Sequence, residues 1–297
     1  MDDTARTPVL KERFISDLFL LQAAAIWGFG FVAQRSASVH LGFFGFNGVR
    51  FLLASAALLP FVVKRFGNLK KNIGWMLLSG SILFTGSALQ QAGLETTTAG
   101  SAGFITGVYV VLVPIILSIF WKQHSPALTW IAAAAALLGT YLLSTGGTRL
   151  DPSGGDLLVL AGSFAWALHV IVVGKAVQKM DVIAFSTGQY IVCGLLHMIM
   201  SGFVEPVTFT ALSSAWMEVI YAGLFSVALG FTFQGIGQRK APASDAALIL
   251  SLEAVFAAIA GVLFLQERMN WVQILGCGII LAAIIIAQLG VIKRGRG

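Results

Sequence analysis

Apolar residues along this chain fall in blocks of roughly 20, separated by short runs that hold the charges and turn residues. A helix rises about 1.5 Å per residue, so a block of that length crosses the ~30 Å hydrocarbon layer of a bilayer once. Within lipid every backbone polar group must find its partner inside the segment, which makes each block a helix. Cutting at charges and turn residues predicts ten spans, at residues 15–35, 43–63, 73–94, 98–120, 127–145, 156–174, 183–203, 215–236, 243–265 and 271–291. The connections are short and leave no room for a separate soluble domain. The fold class expected is an all-α integral membrane protein.

Composition agrees: 57% of the 297 residues are hydrophobic and 11% charged, against about 25% charged in soluble chains. The 33 glycines suit membrane helices, whose backbones approach closely at small residues. Cys193 and Cys277 both lie inside apolar blocks, so neither a disulfide framework nor a metal site is expected. The polar N-terminus and the continuation into further spans read as a mature first helix rather than a cleaved signal.

The basic residues set an orientation, because Lys and Arg are retained in cytoplasmic loops. Arg6, Lys11, Arg13, Lys64, Arg65, Lys70, Lys71, Lys122, Lys175, Lys179, Arg239, Lys240, Lys293, Arg294 and Arg296 fall on one side, fifteen of the 19. Arg35, Arg149 and Arg268 fall on the other, with Arg50 inside the second span near it. Both termini are therefore expected in the cytoplasm, in a bacterial-type inner membrane. The net charge of +6 is explained by this bias; without interleaved aromatics it does not point to nucleic acid.

The chain matches itself weakly. At an offset of 144, Gly86 meets Gly230, Gln90 meets Gln234, Gly93 meets Gly237, Ala99 meets Ala243, Ala102 meets Ala246, Phe120 meets Phe264 and Leu137 meets Leu281; at an offset of 139, Trp27 meets Trp166. The halves are expected at 1–146 and 153–292. Five spans per half is an odd number, so the second half must lie upside down relative to the first. Inverted repeats of this kind build secondary transporters that hold substrate at mid-depth, where the halves meet.

At these residues the chain resembles a known family. AAIWGFGFVAQRSA is similar to the opening helix, and GVRFLLASAALLP, with its Arg-Phe pair, to the second helix, of EamA-type exporters in the drug/metabolite transporter superfamily. APASDAALILSLEAVFAAIAGVLFLQERMNWVQILGCGIILA is similar to that family's last two helices, with a Leu-Glu before a small apolar run and a Glu-Arg after it. The chain departs where the family usually has Pro after Leu-Glu and this one has Ala254, and where Lys122-Gln123-His124 replaces an expected Glu-Arg. The Trp-bearing halves look most like the YddG-type exporters of aromatic and other amino acids. The resemblance implies ten helices in two inverted repeats and export of small metabolites.

Six residues in the spans are the candidate substrate contacts: Trp27, Gln90, Tyr109, Trp166, Gln234 and Glu253. Glu253 sits mid-span, where a charge costs about 2.5–3.5 kcal/mol on insertion scales. It would couple protons or meet a substrate ammonium group, or serve as a helix-to-helix hydrogen bond; its repeat mate is Tyr109. Trp27 and Trp166 are mid-depth indoles that either wall a pathway or pack the core, whereas Trp75, Trp216 and Trp271 sit at span ends, where the interfacial belt places them. Gln90, Gln91 and Gln234 can contact a substrate or cross-link helices.

His169, His197 and Glu218 read as structural or interfacial. Arg50 is expected to snorkel outward rather than bind an anion. Gly100, Gly103 and Gly107 lie on one helix face and predict close packing, while Pro114 predicts a kink in the fourth span.

No P-loop pattern, H-E-x-x-H or G-x-S-x-G elbow occurs. Neither ATP-driven transport nor an enzyme is expected, and no cofactor. The partners expected are a small-molecule substrate, with aromatic or other apolar amino acids foremost, and the lipid bilayer, with proton coupling left open. A transporter of another metabolite or drug is the alternative; a channel would require a polar ring at matched positions of the halves, and an intramembrane enzyme a cluster such as His169, His197, Cys193, Cys277 and Glu253 at one depth.

Overall fold

A computed structural model describes residues 3–62, 69–97, 99–148, 153–266 and 268–294. Lys64, Arg65, Arg149 and Arg296 of the charge argument, and Glu267 of the Glu-Arg pair, lie outside the described residues. The described chain is helical, with no strand.

The first half holds α1 (Asp3–Ala37), α2 (Phe43–Val62), α3 (Leu69–Leu94), α4 (Ala99–Gly107), α5 (Tyr109–Trp121) and α6 (Ala127–Thr145). The second holds α7 (Gly154–Ala176), α8 (Val182–Val204), the short α9 (Phe209–Ser214) and α10 (Trp216–Ile220), a π-helix over Tyr221–Phe231, α11 (Thr232–Gly237), α12 (Ala243–Leu250), α13 (Glu253–Leu265) and α14 (Trp271–Arg294). By length and composition nine stretches of the described chain can cross a bilayer, and α14 adds a shorter apolar segment, Trp271–Ala287. Large apolar side chains such as Phe61, Ile131, Phe203 and Leu263 stand exposed on the outer surface. Lipid is the solvent that accepts them.

The halves are related by an inverted pseudo-twofold, visible in which helices touch. Helix α2 packs on α8 and α6 on α14, each meeting its own counterpart; α3 packs on α7 as the π-helix and α11 pack on α1; α4 and α5 contact α7 as α12 and α13 contact α1. Where α6 crosses α14, Gly139 and Gly276 meet so closely that a Cβ on Gly276 would lie 2.5 Å from the Gly139 carbonyl oxygen. That crossing is what glycine without a Cβ permits.

The symmetry extends to irregular backbone. The fourth span breaks at Val108 and the ninth at Ser251 and Leu252, and 108 plus 144 is 252. Lys122 (φ +52°) and Gln266 (φ +55°) end α5 and α13 in the left-handed conformation, also 144 apart. Side chains other than glycine rarely adopt it, because Cβ crowds the following carbonyl.

Two expectations meet the structure here. α5 runs on through Pro114, and the interruption in the fourth span lies six residues earlier, at Val108; because the ninth span breaks at the equivalent place with Ala258 opposite Pro114, proline does not cause that break. Gly103 and Gly107 of the predicted glycine face do not pack closely either: nothing lies within 4 Å of a Cβ built on Gly103, and Gly107 only reaches ordinary contact with Thr140 at 3.5 Å, while the surroundings of Gly100 lie outside the described residues.

Candidate functional site

A cavity of about 60 Å³ lies where the halves meet, lined by Trp27, Phe31 and Gln34 of α1, Arg50 of α2, Gln90 of α3, Thr106 and Tyr109 at the α4–α5 break, and Trp166, His169 and Val170 of α7. Ser226, Phe231, Gln234, Leu250 and Glu253 complete it from the second half. All six sequence candidates therefore come together on one wall system. Small-molecule sites are mostly apolar with a few placed polar groups, which is the pattern of this lining.

The two tryptophans are set by matched devices. The Trp27 indole lies over Gly230, where a Cβ would come within 2.5 Å of Nε1; the Trp166 indole lies over Gly86, where a Cβ would come within 3.2 Å of Cε2. Each half thus lends a tryptophan from its first span to a glycine on the third span of the other. Phe231 contacts both indoles, at 4.6 Å and 52° from Trp27 and 6.0 Å and 16° from Trp166. Sequence reasoning missed Phe231, one aromatic in an apolar run whose repeat mate is Ser87.

The match is not complete. Trp27 Nε1 donates to the Ser226 carbonyl at 2.9 Å, within the π-helix, while the buried Trp166 Nε1 has no hydrogen-bond partner. π-helical backbone commonly marks functional sites.

Glu253 begins α13 and Tyr109 begins α5, each just past a break in its span. Their hydroxyl and carboxylate couple across the cavity, and each still presents a buried oxygen with no hydrogen-bond partner. Gln90 donates to Thr106 Oγ1 at 3.1 Å, whereas Gln234 Oε1 has no partner. With Gln34 Oε1, Arg50 Nε and Trp166 Nε1, six unpartnered buried polar atoms belong to residues lining this one cavity. Buried polar atoms are nearly always satisfied, and each orphan costs about 1–3 kcal/mol, so a group of them in one void can accept water or a polar ligand.

Two further expectations change. Arg50 does not snorkel outward: it is 4% exposed and lines the cavity. His169, read as structural, also lines it while its Nε2 meets Gln189 Oε1 at 3.0 Å; the same oxygen accepts from Ser79 at 2.7 Å, so His169 Nε2 is the donor there. Gln91 stays outside the cavity and donates to the Gln34 carbonyl at 3.2 Å. His197 is structural, buried among Phe44, Phe51 and Phe84. Its Nδ1 comes within 3.5 Å of Cys193 Sγ, but both side chains are 0% exposed and away from the cavity lining, and the same nitrogen already meets the Cys193 carbonyl at 2.9 Å.

At one end of the bundle Arg13 of α1 pairs with Asp17 at 2.9 Å and with Asp245 of α12 at 3.2 Å. A cleft of about 410 Å³ at this end carries Lys175, Gln178, Arg239, Lys240 and Asp245. At the other end Glu205, just past α8, accepts from the Phe44 and Gly45 backbone N–H groups at the start of α2. Nearby, partial burial and then the Glu205 charge raise the Glu95 carboxyl above its ordinary range.

Residues 14–145 and 153–288 each match the EamA-like transporter family. A transporter of Archaeoglobus fulgidus, described as uncharacterized, is 30% identical over 285 residues, covering 94% of this chain and 88% of that protein. The uncharacterized transporter YyaM of Bacillus subtilis is 24% identical over 256 residues, covering 82% and 83%. A solved crystal structure superimposes with a TM-score of 0.78 at 16% identity, covering 92% of this chain and 96% of that one, a likeness of fold.

Proposed function

This chain belongs to the EamA-like transporter family, and from that premise we propose that it exports small zwitterionic metabolites, aromatic and other apolar amino acids first among them, as a YddG-type secondary transporter or facilitator. The repeats at 1–146 and 153–292 rock about the central cavity to expose it alternately to either side, in a bacterial-type inner membrane with both termini cytoplasmic. One observation carries this reading: a tryptophan from each half flanks a cavity whose lining residues hold six buried, unpartnered polar atoms. Flat indoles and Phe231 suit an apolar or aromatic side chain, and Glu253 with Gln90, Tyr109 and Gln234 suits the polar end.

Glu253 has two roles open to it, meeting the substrate ammonium group or carrying a coupled proton. A pH gradient across proteoliposomes separates them: a coupled proton makes accumulation follow the gradient, whereas an ammonium contact leaves only exchange. A channel is disfavoured because the matched positions Tyr109 and Glu253 do not form a uniform ring. The reading is tested by counterflow of labelled amino acids into liposomes preloaded with the unlabelled compound. Saturable counterflow supports it, and absence across aromatic and aliphatic amino acids turns the substrate class toward another metabolite or drug.

A further inference from the structure

Arg50 is the cavity residue for which the described residues supply no counter-charge. Its side chain is 4% exposed in the interior of α2, and among the described residues no carboxylate pairs with it. Nε has no hydrogen-bond partner. The guanidinium lies 5.0 Å from the Phe46 ring centroid and 5.2 Å from that of Phe51. The titratable groups that couple to it are Cys193 and His197 of α8, neither a carboxylate.

Aromatic faces attract a cation and hold it in place, but they leave the in-plane N–H donors of the fork unused. A buried cation without an anion is among the most costly arrangements a membrane protein can keep. Arg50 lines the cavity, and Glu253, the acid of that cavity, couples to Tyr109 rather than to it. The arrangement lacks one component, a planar anion delivered from the cavity.

We propose that Arg50 binds the carboxylate of the transported molecule, through the fork geometry that matches a carboxylate in two parallel hydrogen bonds. This deepens the reading of the cavity as a zwitterion site and rests on it. It also makes the site directional. Gly48 packs on Met198 and Gly194 on Leu52, so α2 and α8 exchange at an offset of 146, which places Leu196 opposite Arg50. The second half offers no equivalent cation, and the carboxylate end of the substrate is held by the first half alone.

The test is calorimetric titration of the detergent-purified full chain with matched probes: phenylalanine, phenylacetate and phenethylamine, then leucine, isovalerate and isopentylamine. Wild-type protein is expected to bind the carboxylates and amino acids of at least one series and to lose about tenfold or more when the carboxylate is removed. Arg50→Gln should abolish that preference while leaving amine binding within about twofold, and Arg50→Lys should restore part of it, because it returns the charge without the fork.

Wild-type protein that binds the amines as tightly as the carboxylates in both series would overturn the proposal without any variant. So would a preference that Arg50→Gln leaves intact. Arg50-dependent carboxylate binding together with no amino-acid counterflow would sustain this site while sinking the amino-acid reading. Counterflow that Arg50→Gln does not alter would do the reverse.

Discussion

Tyr109 and Glu253 occupy equivalent positions of the two repeats, each one residue past the break in its span, and they couple to one another across the central cavity. The pseudo-twofold brings them together, and the substitution of an acid for a phenol makes the cavity asymmetric. Each presents a buried polar oxygen with no partner, and satisfying such an atom contributes about 1–3 kcal/mol. Glu253→Gln is therefore expected to reduce counterflow roughly 10- to 100-fold, and Tyr109→Phe only several-fold. Rates in proteoliposomes check this, with elution profile and thermal unfolding as controls; equal and small effects would assign the pair to packing.

The tryptophan seats are graded. Gly230→Ala places a Cβ 2.5 Å from Trp27 Nε1, Gly86→Ala one 3.2 Å from Trp166 Cε2. Overpacking costs typically about 1–3 kcal/mol, and the closer contact should show the larger loss of thermal stability. Unfolding followed by intrinsic fluorescence in detergent checks the order; a reversed order would contradict the packing described.

Exchange of roles between the halves predicts a specific hydrogen bond. Trp27 Nε1 donates to Ser226, and the residue 144 positions before Ser226 is Ile82. In the opposite-facing state the Trp166 indole, now unpartnered, should donate to the Ile82 carbonyl while Trp27 releases Ser226. A structure captured in that state, with a conformation-selective antibody fragment for example, decides it. Both indoles unchanged would count against rocking of the halves.

Much of this was legible in the chain. Block length gave the spans, because hydrocarbon thickness fixes how many apolar residues a helix needs. The Gly86–Gly230 and Trp27–Trp166 matches pointed to residues that prove to be packed against each other across the halves. Arg50 was misjudged because its position near the start of a span fits snorkelling; the Phe46 and Phe51 rings that flank it and the neighbouring α8 residues are tertiary facts. Phe231 carries no signal in an apolar run, and the breaks at Val108 and Leu252 have no shared residue type to announce them.

Pro114 provides a control on those breaks. Since the equivalent break in the second half forms with Ala258 in its place, Pro114→Ala should leave the break at Val108 and keep counterflow within a few-fold of wild type. A large loss of transport in folded protein would return proline to the mechanism.

Glu205 ties the end of α8 to the start of α2. Replacing a capping acceptor costs about 0.5–2 kcal/mol, so Glu205→Ala should lower thermal stability by that order and Glu205→Gln, which keeps the acceptor oxygen, by less. Thermal unfolding of the two variants beside wild type checks it; equal losses would show that charge rather than capping matters.

The most direct measurement of the central claim is counterflow of labelled phenylalanine and leucine into proteoliposomes of wild type, Trp27→Ala and Trp166→Ala, each shown to be folded. A cavity that carries substrate between the halves predicts saturable wild-type counterflow that either tryptophan change abolishes. Wild-type counterflow that both changes leave intact would contradict it.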